Sequence, residues 1–567
     1  MPPEAAVPPQ RANATSDRLA RHSEFALLIF VIALGVGLRV AHFFTTGSFF
    51  YDEACIALNL VTRHPGQLLE PLAYNQAAAP GFLFLEKCLI HFFGTSELVF
   101  RLPALLSSIA VLILLAIFCE KLFNRSLAIF AVAILAVSPL AITMASELKP
   151  YSTDAAFTLW MMIRFRSLFL NPTSRKQWLL FFLPGVLALL FSQTIIFVLL
   201  SLGLLLIVVK FREWRSAVKA GLVVAIWSGI FLLVYFTIYR FEGNTFYMQT
   251  WWSANMLSIL KPQFAARAIT ALSNLFPLSL DSLAYLHERG LILLSALGLY
   301  FTAKRVGTIW AAALALPYAA VILASALGLF PIAPRLLLFI IPLLVVLASS
   351  GLESLIAKAL PQRFYALCCG LAVFLLIGNG TRLTYAQQRD HFPRLSKSLI
   401  SQVEAAPDCA AVYVFADSVP AWDFYTRDVG TEGMPRQDTY QRIVDRNSER
   451  VFAQDPKPIL PEALRVYRLG CKPVILGELR LRGIGDSGLR QAWARSELIR
   501  MKNSGASSAY IFGELYWRDD LEALLNEARS MGASAKTLGG GRPFLGYLGK
   551  IEFASNEKVV SPLQPNE

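Results

Sequence analysis

The sequence predicts a polytopic α-helical membrane protein that ends in a smaller α/β domain. Hydrophobic residues make up 55% of the 567 residues, charged residues only 16%, and mean hydropathy is +0.52. A soluble domain carries about 25% charged residues. The hydrophobic excess falls in apolar runs of roughly 20 residues, the length that crosses about 30 Å of hydrocarbon. After residue 380 these runs shorten to strand length and charged residues become frequent.

The N-terminal part predicts a tail followed by an anchor. Residues 1–22 are rich in Pro, Ala and polar residues, which is typical of a disordered tail. The first apolar run, 25–44, is too long for the core of a signal peptide and no small-residue cleavage site follows it. We therefore expect the transmembrane domain, 23–380, to begin with a retained anchor.

A loop at 46–100 separates this anchor from the remaining spans. Its apolar stretch 83–93 is interrupted by Glu86, Lys87 and His91, a pattern typical of a helix on the membrane surface. With the anchor, the later runs predict about 11 transmembrane helices. The later predicted spans are 101–119, 127–146, 152–168, 178–191, 193–209, 217–239, 289–303, 308–329, 335–350 and 363–380.

The basic residues predict the orientation. The formal net charge of +13 arises largely in short loops on one side of the predicted spans, together with the N-terminal arginines. The positive-inside rule places that side in the cytoplasm. An odd number of spans then places the C-terminal domain outside. No basic patch alternates with aromatic residues as single-strand binding requires, which argues against a nucleic-acid partner.

Residues 381–567 predict an extracytoplasmic α/β domain, because apolar runs of strand length alternate with helical patterns. The predicted strands are 410–415, 473–476, 509–512, 534–538 and 544–551, and the predicted helices are 421–427 and 519–531.

The seven cysteines show no metal-ligand spacing. Two pairs are disulfide candidates on an oxidising side of the membrane, Cys55 with Cys88 and Cys409 with Cys471. For the first pair, two unpaired small hydrophobic side chains are an equal alternative.

Two adjacent carboxylates, Asp52 and Glu53, follow the first predicted span. Charge at that depth is costly and usually functional. We therefore predict that this pair is the centre of a site that acts on a membrane-borne substrate.

A second charged group spans 147–154, Glu-Leu-Lys-Pro-Tyr-Ser-Thr-Asp. Glu147 ends one predicted helix, Asp154 begins the next, and Lys149 lies between them on the predicted outer face. Acidic groups beside a cation suit a site that activates a hydroxyl and holds a phosphate. A structural alternative, in which these three charges neutralise one another at a helix turn, fits the spacing equally well.

Two arginines also stand at the outer entrances of predicted helices, Arg101 before Pro103 and Arg335 after Pro334. An arginine in this position can bind a lipid phosphate with two hydrogen bonds. Snorkelling of its side chain to lipid headgroups is the alternative for either residue alone.

Several short motifs follow one another on the predicted outer side: Tyr51-Asp52-Glu53, Asn-Gln-Ala-Ala-Ala-Pro-Gly-Phe at 75–82, Phe-Gly-Thr-Ser-Glu at 93–97, Arg-Leu-Pro at 101–103, the 147–154 segment, and Pro334-Arg335. In this order they resemble the bacterial glycosyltransferase family 39. That family has the GT-C fold and is related to protein mannosyltransferases and lipid A aminoarabinose transferases. The C-terminal domain, at 412–414 and 422–425, resembles the extracytoplasmic domain of the family.

The resemblance implies an inverting glycosyltransferase that moves a sugar from a polyprenyl-phosphate donor to an extracytoplasmic glycan, lipid or protein. Asp52 would be the general base, and Glu53 and Asp154 would orient the site or help to hold a divalent cation. Glu147 completes the predicted catalytic carboxylates. The predicted substrate-binding residues are Lys149, Arg335 and Arg101 for the lipid phosphate, together with Tyr51, Gln76 and Tyr151.

One difference from the family pattern leaves open whether the site binds a divalent cation. Some relatives carry His or Glu/Lys before the proline of the first loop, where this chain has Ala77, Ala78 and Ala79. Gln76 is a neutral hydrogen-bond partner and a poor metal ligand.

A transporter and a non-catalytic scaffold are the alternative classes of function. A transporter or flippase of lipid-linked sugars would use the same charges to bind its cargo, but transporters usually show repeats and broken helices at mid-membrane. A non-catalytic scaffold would leave the outward position of Asp52, Glu147 and Asp154 unexplained.

Overall fold

The computed structural model describes residues 10–243, 252–253, 255–258, 285–359, 370–371, 373–378, 381, 394–415, 418–427, 466–477, 487–514, 518–542 and 546–553. The chain forms two compact units. The first, which we call the helical unit, comprises the described residues of Met1–Thr45, Ala78–Arg240 and Trp251–Asp390. The second, the loop–domain unit, comprises those of Thr46–Ala77, Phe241–Thr250 and His391–Glu567. The predicted division placed all of 46–100 with the transmembrane domain, whereas Thr46–Ala77 belongs to the loop–domain unit.

The described helices, in chain order, are α1 (Gln10–Thr45), α2 (Tyr51–Thr62), α3 (Pro80–Phe93), α4 (Glu97–Leu122), α5 (Arg125–Ala136), α6 (Pro139–Met144), α7 (Tyr151–Leu170), α8 (Arg175–Phe191), α9 (Ile195–Val209), α10 (Trp214–Val234), α11 (Tyr285–Arg305), α12 (Thr308–Ala326), α13 (Ile341–Ala359), α14 (Ser396–Ala405), α15 (Val419–Thr426), α16 (Ser487–Asn503) and α17 (Arg518–Ser530). The strands are β1 (Ala411–Val414), β2 (Val466–Leu469), β3 (Lys472–Leu476), β4 (Ser508–Gly513), β5 (Ser534–Arg542) and β6 (Gly546–Glu552). Single turns of 3-10 helix lie at Pro65–Leu69, Ala73–Asn75 and Pro334–Leu337, and a π turn at Tyr235–Tyr239 is followed by the short helix Arg240–Gly243.

The helical unit confirms a polytopic membrane protein. In the described part of the chain, five helical stretches are long and apolar enough to cross a membrane: His22–Thr45, Glu97–Leu122, Trp214–Tyr239, Thr308–Ala326 and Ile341–Lys358. The helices α5 and α9 are apolar but shorter. The total of about 11 crossings stays a prediction, and most of the predicted span 363–380 lies outside the described residues.

The predicted span 127–146 is not one helix. The chain breaks at Val137-Ser138 between α5 and α6. The Ser138 hydroxyl accepts a hydrogen bond from the Ala141 amide at 3.3 Å, and Pro139 occupies the first helical position. Both are start signals for a new helix. The short α6 therefore leads directly into the charged segment 147–154.

A buried arginine joins three helices of the helical unit. Arg39 of α1 is fully buried, and its Nε donates to Ser108 Oγ of α4 at 2.7 Å. Its two Nη atoms donate to the carbonyls of Ala136 and Leu135 at the end of α5, at 3.0 and 3.1 Å, and Nη1 also donates to Gly35. A buried cation is tolerated when its donors are satisfied in this way.

One charged residue of α3 lies on its buried face. Glu86 is fully buried and shares a face of α3 with Leu83 and Ile90, while Lys87 is half-buried and His91 is exposed. The spacing of 83, 86 and 90 places these three side chains on one side of the helix. The position of α3 on the membrane surface stays a prediction.

The loop–domain unit contains a six-stranded mixed sheet with the strand order β2-β3-β1-β4-β6-β5. The central strand β1 pairs in parallel with β3, where Val412 lies opposite Val474, and with β4, where Ala411 lies opposite Ala509. The outer pairs are antiparallel. The predicted α/β character is confirmed, and β2 is an additional edge strand that the prediction missed.

A disulfide joins Cys409, just before β1, to Cys471, between β2 and β3. This confirms the second predicted pair. Neither Cys55 nor Cys88 takes part in a disulfide, so the alternative to a disulfide holds for the first pair.

Candidate functional site

The predicted site residues divide between the two units. Tyr51, Asp52, Glu53 and Gln76 belong to the loop–domain unit, where they share a fold with the C-terminal sheet. The residues in the helical unit are Arg101, Glu147, Lys149, Tyr151, Asp154 and Arg335.

The carboxylate pair occupies the first turn of α2, which begins at Tyr51. Phe50 before it has extended backbone angles, and its amide donates to Glu53 Oε2 at 2.9 Å. Negative charge in a first helical turn is stabilised by the helix dipole. Successive residues lie about 100° apart around a helix, so the two side chains face different ways. Glu53 is 1% exposed, whereas Asp52 is half-buried.

Glu53 is paired with an arginine that sequence reasoning did not single out. Arg394 Nη1 donates to Glu53 Oε2 at 2.6 Å, and both side chains are buried. The arginine carbon Cζ lies 4.7 Å from the centre of the Phe50 ring. The two charged residues are 341 positions apart in sequence, and no local pattern marks Arg394 as a partner.

The other end of the same loop adopts an uncommon backbone. Tyr74 and Asn75 have positive φ angles of 64° and 53°, a conformation that non-glycine residues adopt rarely and mostly where the surroundings require it. The buried Asn59 of α2 fixes this turn, because its side chain donates to the Ala73 carbonyl at 3.2 Å and accepts from the Ala73 amide at 3.0 Å. The buried Gln76 follows, and its amide group donates to the Tyr74 carbonyl at 3.1 Å.

A further carboxyl, which the sequence analysis did not select, lies against this turn. Burial raises the pKa of Asp423 in α15 from 3.8 to about 6, and a hydrogen bond from the Tyr74 side chain opposes part of that rise. The loop and the C-terminal domain are therefore joined through Tyr74 as well as through Arg394.

In the helical unit, the predicted charges lie on the turn between α6 and α7. Glu147 and Lys149 are both buried, and the Lys149 amide donates to the Glu147 carbonyl at 2.7 Å. The helix α7 begins at Tyr151, and Ser152 Oγ donates back to the Met144 carbonyl at 3.1 Å. The turn thus holds two opposite charges in a protein interior, where burying a charge costs free energy unless it is paired and hydrogen-bonded.

Asp154 lies in the first turn of α7 and is also buried. Its Oδ2 accepts a hydrogen bond at 3.1 Å from the hydroxyl of Thr194, which directly precedes α9. This contact joins the starts of two packed helices.

The two predicted arginines differ in their surroundings. Arg101 in α4 is 1% exposed, which argues against snorkelling, since a snorkelling side chain keeps its charged end at the surface. Arg335 is half-buried in the turn Pro334–Leu337, which packs against α6, and its Cζ lies 5.5 Å from the centre of the Trp252 ring. A guanidinium over an indole face is a favourable cation–π contact that also limits its motion.

Within the described ranges, no group of three or more His, Cys, Asp or Glu side chains is arranged to hold a metal ion. The divalent cation left open by the sequence therefore has no cluster of protein ligands to support it among those residues.

Residues 77–239 match the family model described as dolichyl-phosphate-mannose-protein mannosyltransferase. No curated protein matches the sequence. Among solved structures, ArnT from Cupriavidus metallidurans in the apo state is similar with a TM-score of 0.50 and 13% identity, over 93% of this chain and 98% of that chain. The same protein bound to undecaprenyl phosphate gives a TM-score of 0.48 and 14% identity, over 92% and 97%. The Archaeoglobus fulgidus oligosaccharyltransferase with Zn and sulfate gives 0.46 and 13%, over 70% of this chain and 61% of that chain.

These findings confirm the resemblance that the motifs indicated. The chain has the GT-C fold, and the family match supports a glycosyltransferase. Within the matched range lie five of the predicted site residues: Arg101, Glu147, Lys149, Tyr151 and Asp154.

Proposed function

We propose that the protein is an inverting glycosyltransferase that moves a sugar from a polyprenyl-phosphate donor to an acceptor outside the cytoplasm. The observation that carries the proposal is the first turn of α2, where a half-buried Asp52 lies beside Glu53, whose carboxylate is paired with Arg394. The mannosyltransferase family match, whose name specifies a dolichyl-phosphate donor, supports the same donor class.

In the proposed reaction, Asp52 is the general base. Its carboxylate accepts the proton of the acceptor hydroxyl as the hydroxyl oxygen attacks the anomeric carbon. The bond from that carbon to the phosphate oxygen breaks, and the polyprenyl phosphate leaves with the electron pair. A single displacement of this kind inverts the anomeric carbon. A positioned base contributes about 10²- to 10⁴-fold to such a step.

The proposed phosphate-binding residues are Lys149, Arg101 and Arg335. Negative charge develops on the phosphate as it leaves, and cations fixed beforehand in a water-poor site stabilise that charge without reorganisation. The burial of Lys149 and Arg101 and the cation–π contact of Arg335 support this role.

The remaining predicted residues have supporting roles in the proposal. Glu147 and Asp154 set the shape and charge of the turn between α6 and α7. Tyr51, Gln76 and Tyr151 contribute hydrogen bonds to the sugar or to the phosphate.

We also propose a bacterial inner-membrane location with the N-terminus cytoplasmic and the C-terminal domain periplasmic or extracellular. The distribution of basic residues supports this orientation. The Cys409–Cys471 disulfide supports an oxidising compartment for the domain that contains it.

The test uses the full-length protein in nanodiscs with a panel of polyprenyl-phosphate sugars and, as acceptor, membranes from a strain that lacks the gene. Release of polyprenyl phosphate is measured by mass spectrometry. Asp52→Asn should lower turnover by about 100-fold or more. Glu70→Gln is the matched control, since Glu70 is an exposed carboxylate of the same loop and should keep wild-type turnover. Full turnover by Asp52→Asn would remove the base assignment.

A further inference from the structure

One oxygen of the buried Glu53 carboxylate accepts two hydrogen bonds. Its Oε2 accepts from the Phe50 amide at 2.9 Å and from Arg394 Nη1 at 2.6 Å. A charge-assisted hydrogen bond of this kind is among the stronger ones that proteins make. Such a carboxylate is poorly suited to take a proton from a substrate, because protonation would remove the negative charge that the buried Arg394 guanidinium pairs with.

Arg394 is itself fixed to the segment before α2 through its backbone. Its amide donates to the Thr46 carbonyl at 3.0 Å, and its carbonyl accepts from the Ser48 amide at 3.1 Å. Gly47 lies between them with φ of +79°, and a Cβ there would stand 2.4 Å from the Arg394 carbonyl oxygen. Only glycine at position 47 allows the segment Thr46–Ser48 and the backbone of Arg394 to approach this closely.

Two further contacts hold the same segment on the C-terminal domain. The Ser48 hydroxyl accepts from the Lys397 amide at 2.9 Å, in the first turn of α14. The Phe49 amide donates to the Tyr425 hydroxyl at 2.7 Å, and the buried Phe49 ring packs edge-on against Phe424. The start of α2 is thus anchored at each of the residues that lead into it.

A buried ion pair is a weak source of stability, because the loss of hydration offsets most of the attraction. Its clearest effect is to hold the groups it joins in one arrangement. Here the pair holds α2 at one rotation about its helix axis, and that rotation sets the direction in which the neighbouring Asp52 side chain points.

We propose that Glu53 is a positioning residue: the buried pair that it forms with Arg394 of the C-terminal domain fixes the first turn of α2 and aims Asp52 at the acceptor. This inference rests on the proposed function for the role of Asp52. It gives the C-terminal domain a positioning part in the reaction, since that domain supplies the arginine.

The first experiment needs no substrate. Asp52→Cys in a background in which Cys88, Cys368 and Cys369 are each replaced by Ser is labelled with a maleimide, and the labelling rate is compared with and without Arg394→Met. The rate should change by about threefold or more, because thiol reactivity depends on local surroundings. Arg495→Met, which removes an exposed arginine of the same domain, should leave the rate unchanged. Equal rates in all three proteins would overturn the proposal.

The second experiment measures turnover of the polyprenyl-phosphate sugar. Glu53→Gln and Arg394→Met should each lower kcat by about 10- to 100-fold with little change in KM. The double variant leaves no unpaired buried charge, which protects its folding, and its kcat should fall no further than that of the single variants. Arg394→Lys should recover part of the loss.

The pH–rate profile separates positioning from catalysis. If Glu53 only positions Asp52, the rising limb of the profile persists in Glu53→Gln at a lower plateau. Loss of that limb in Glu53→Gln, but not in Arg394→Met, would make Glu53 a base and overturn the proposal. The two experiments also separate this inference from the proposed function. If Arg394→Met changes the labelling rate but the wild-type protein transfers no sugar, the positioning role stands and the proposed function is wrong. If the wild-type protein transfers sugar but Arg394→Met leaves the labelling rate unchanged, the proposed function stands and the positioning role is wrong.

Discussion

Thr194 donates a hydrogen bond to Asp154 at 3.1 Å, and this contact joins the residue before α9 to the first turn of α7. A buried carboxylate that loses one of its donors keeps more of the cost of leaving water. Thr194→Val retains the shape of the side chain and removes the donor, so it should lower the free energy of unfolding by about 1–3 kcal/mol. Unfolding by SDS in mixed micelles measures this. Thr194→Ser keeps a hydroxyl and should be close to wild type; equal stability of the valine variant would contradict the prediction.

The Asp423 carboxyl should make the stability of the loop–domain unit depend on pH. Its pKa of about 6 in the folded protein exceeds the ordinary 3.8, so the folded state binds the proton more tightly. The stability that this carboxyl contributes is therefore present in full below pH 3.8 and is lost as the pH rises from 3.8 through about 6. After allowance for partial solvent exposure, the loss is about 1–2 kcal/mol. Asp423→Asn should remove this dependence, which melting temperatures at about pH 4 and about pH 7 would show; an unchanged difference between them would refute it.

Arg39 should be a large contributor to the stability of the helical unit. Arg39→Met leaves Ser108 and the carbonyls at the end of α5 without their buried donor, and should cost about 2–4 kcal/mol. Arg39→Lys keeps the charge but lacks the forked geometry, so its stability should lie between that of the wild type and that of Arg39→Met. Detergent-solubilised protein and thermal unfolding provide the measurement. A methionine variant as stable as the lysine variant would show that the hydrogen bonds matter little.

Glu86 should destabilise the fold when it is ionised. Burial raises its pKa well above the usual range, and within the described residues neither carboxyl oxygen has a hydrogen-bond partner. Since the folded pKa is raised, stability falls as the pH rises towards that value. Glu86→Gln should therefore reduce the loss of stability at alkaline pH, and Glu86→Leu should raise the melting temperature at neutral pH. A leucine variant that melts lower than wild type would point to a polar partner for Glu86.

The proposed orientation predicts opposite sides for two reporter positions. An alkaline phosphatase fusion after Thr381 should be active and one after Lys219 inactive, with the reverse result for green fluorescent protein. Mass spectrometry after alkylation should find Cys409 and Cys471 oxidised in cells. Both fusions on one side of the membrane would contradict the predicted number of spans.

The sequence by itself determined the class of the protein, most of its helices and strands, and the family to which its motifs point. These follow from local properties. A membrane requires apolar runs of fixed length, and a buried strand requires a short run of β-branched and aromatic residues. Motifs such as Tyr51-Asp52-Glu53 are also local, so their residues were found without a structure.

Only the tertiary structure decided which partner each charged residue has. The pairs Glu53 with Arg394 and Tyr74 with Asp423 join distant parts of the chain, and no periodicity encodes a contact at such separation. The burial of Glu86 was also decided by the tertiary structure, because a polar residue in an apolar helix looks the same in sequence whether it faces the surface or the interior. Desolvation and pairing depend on what packs around a side chain, and that is a property of the folded chain alone.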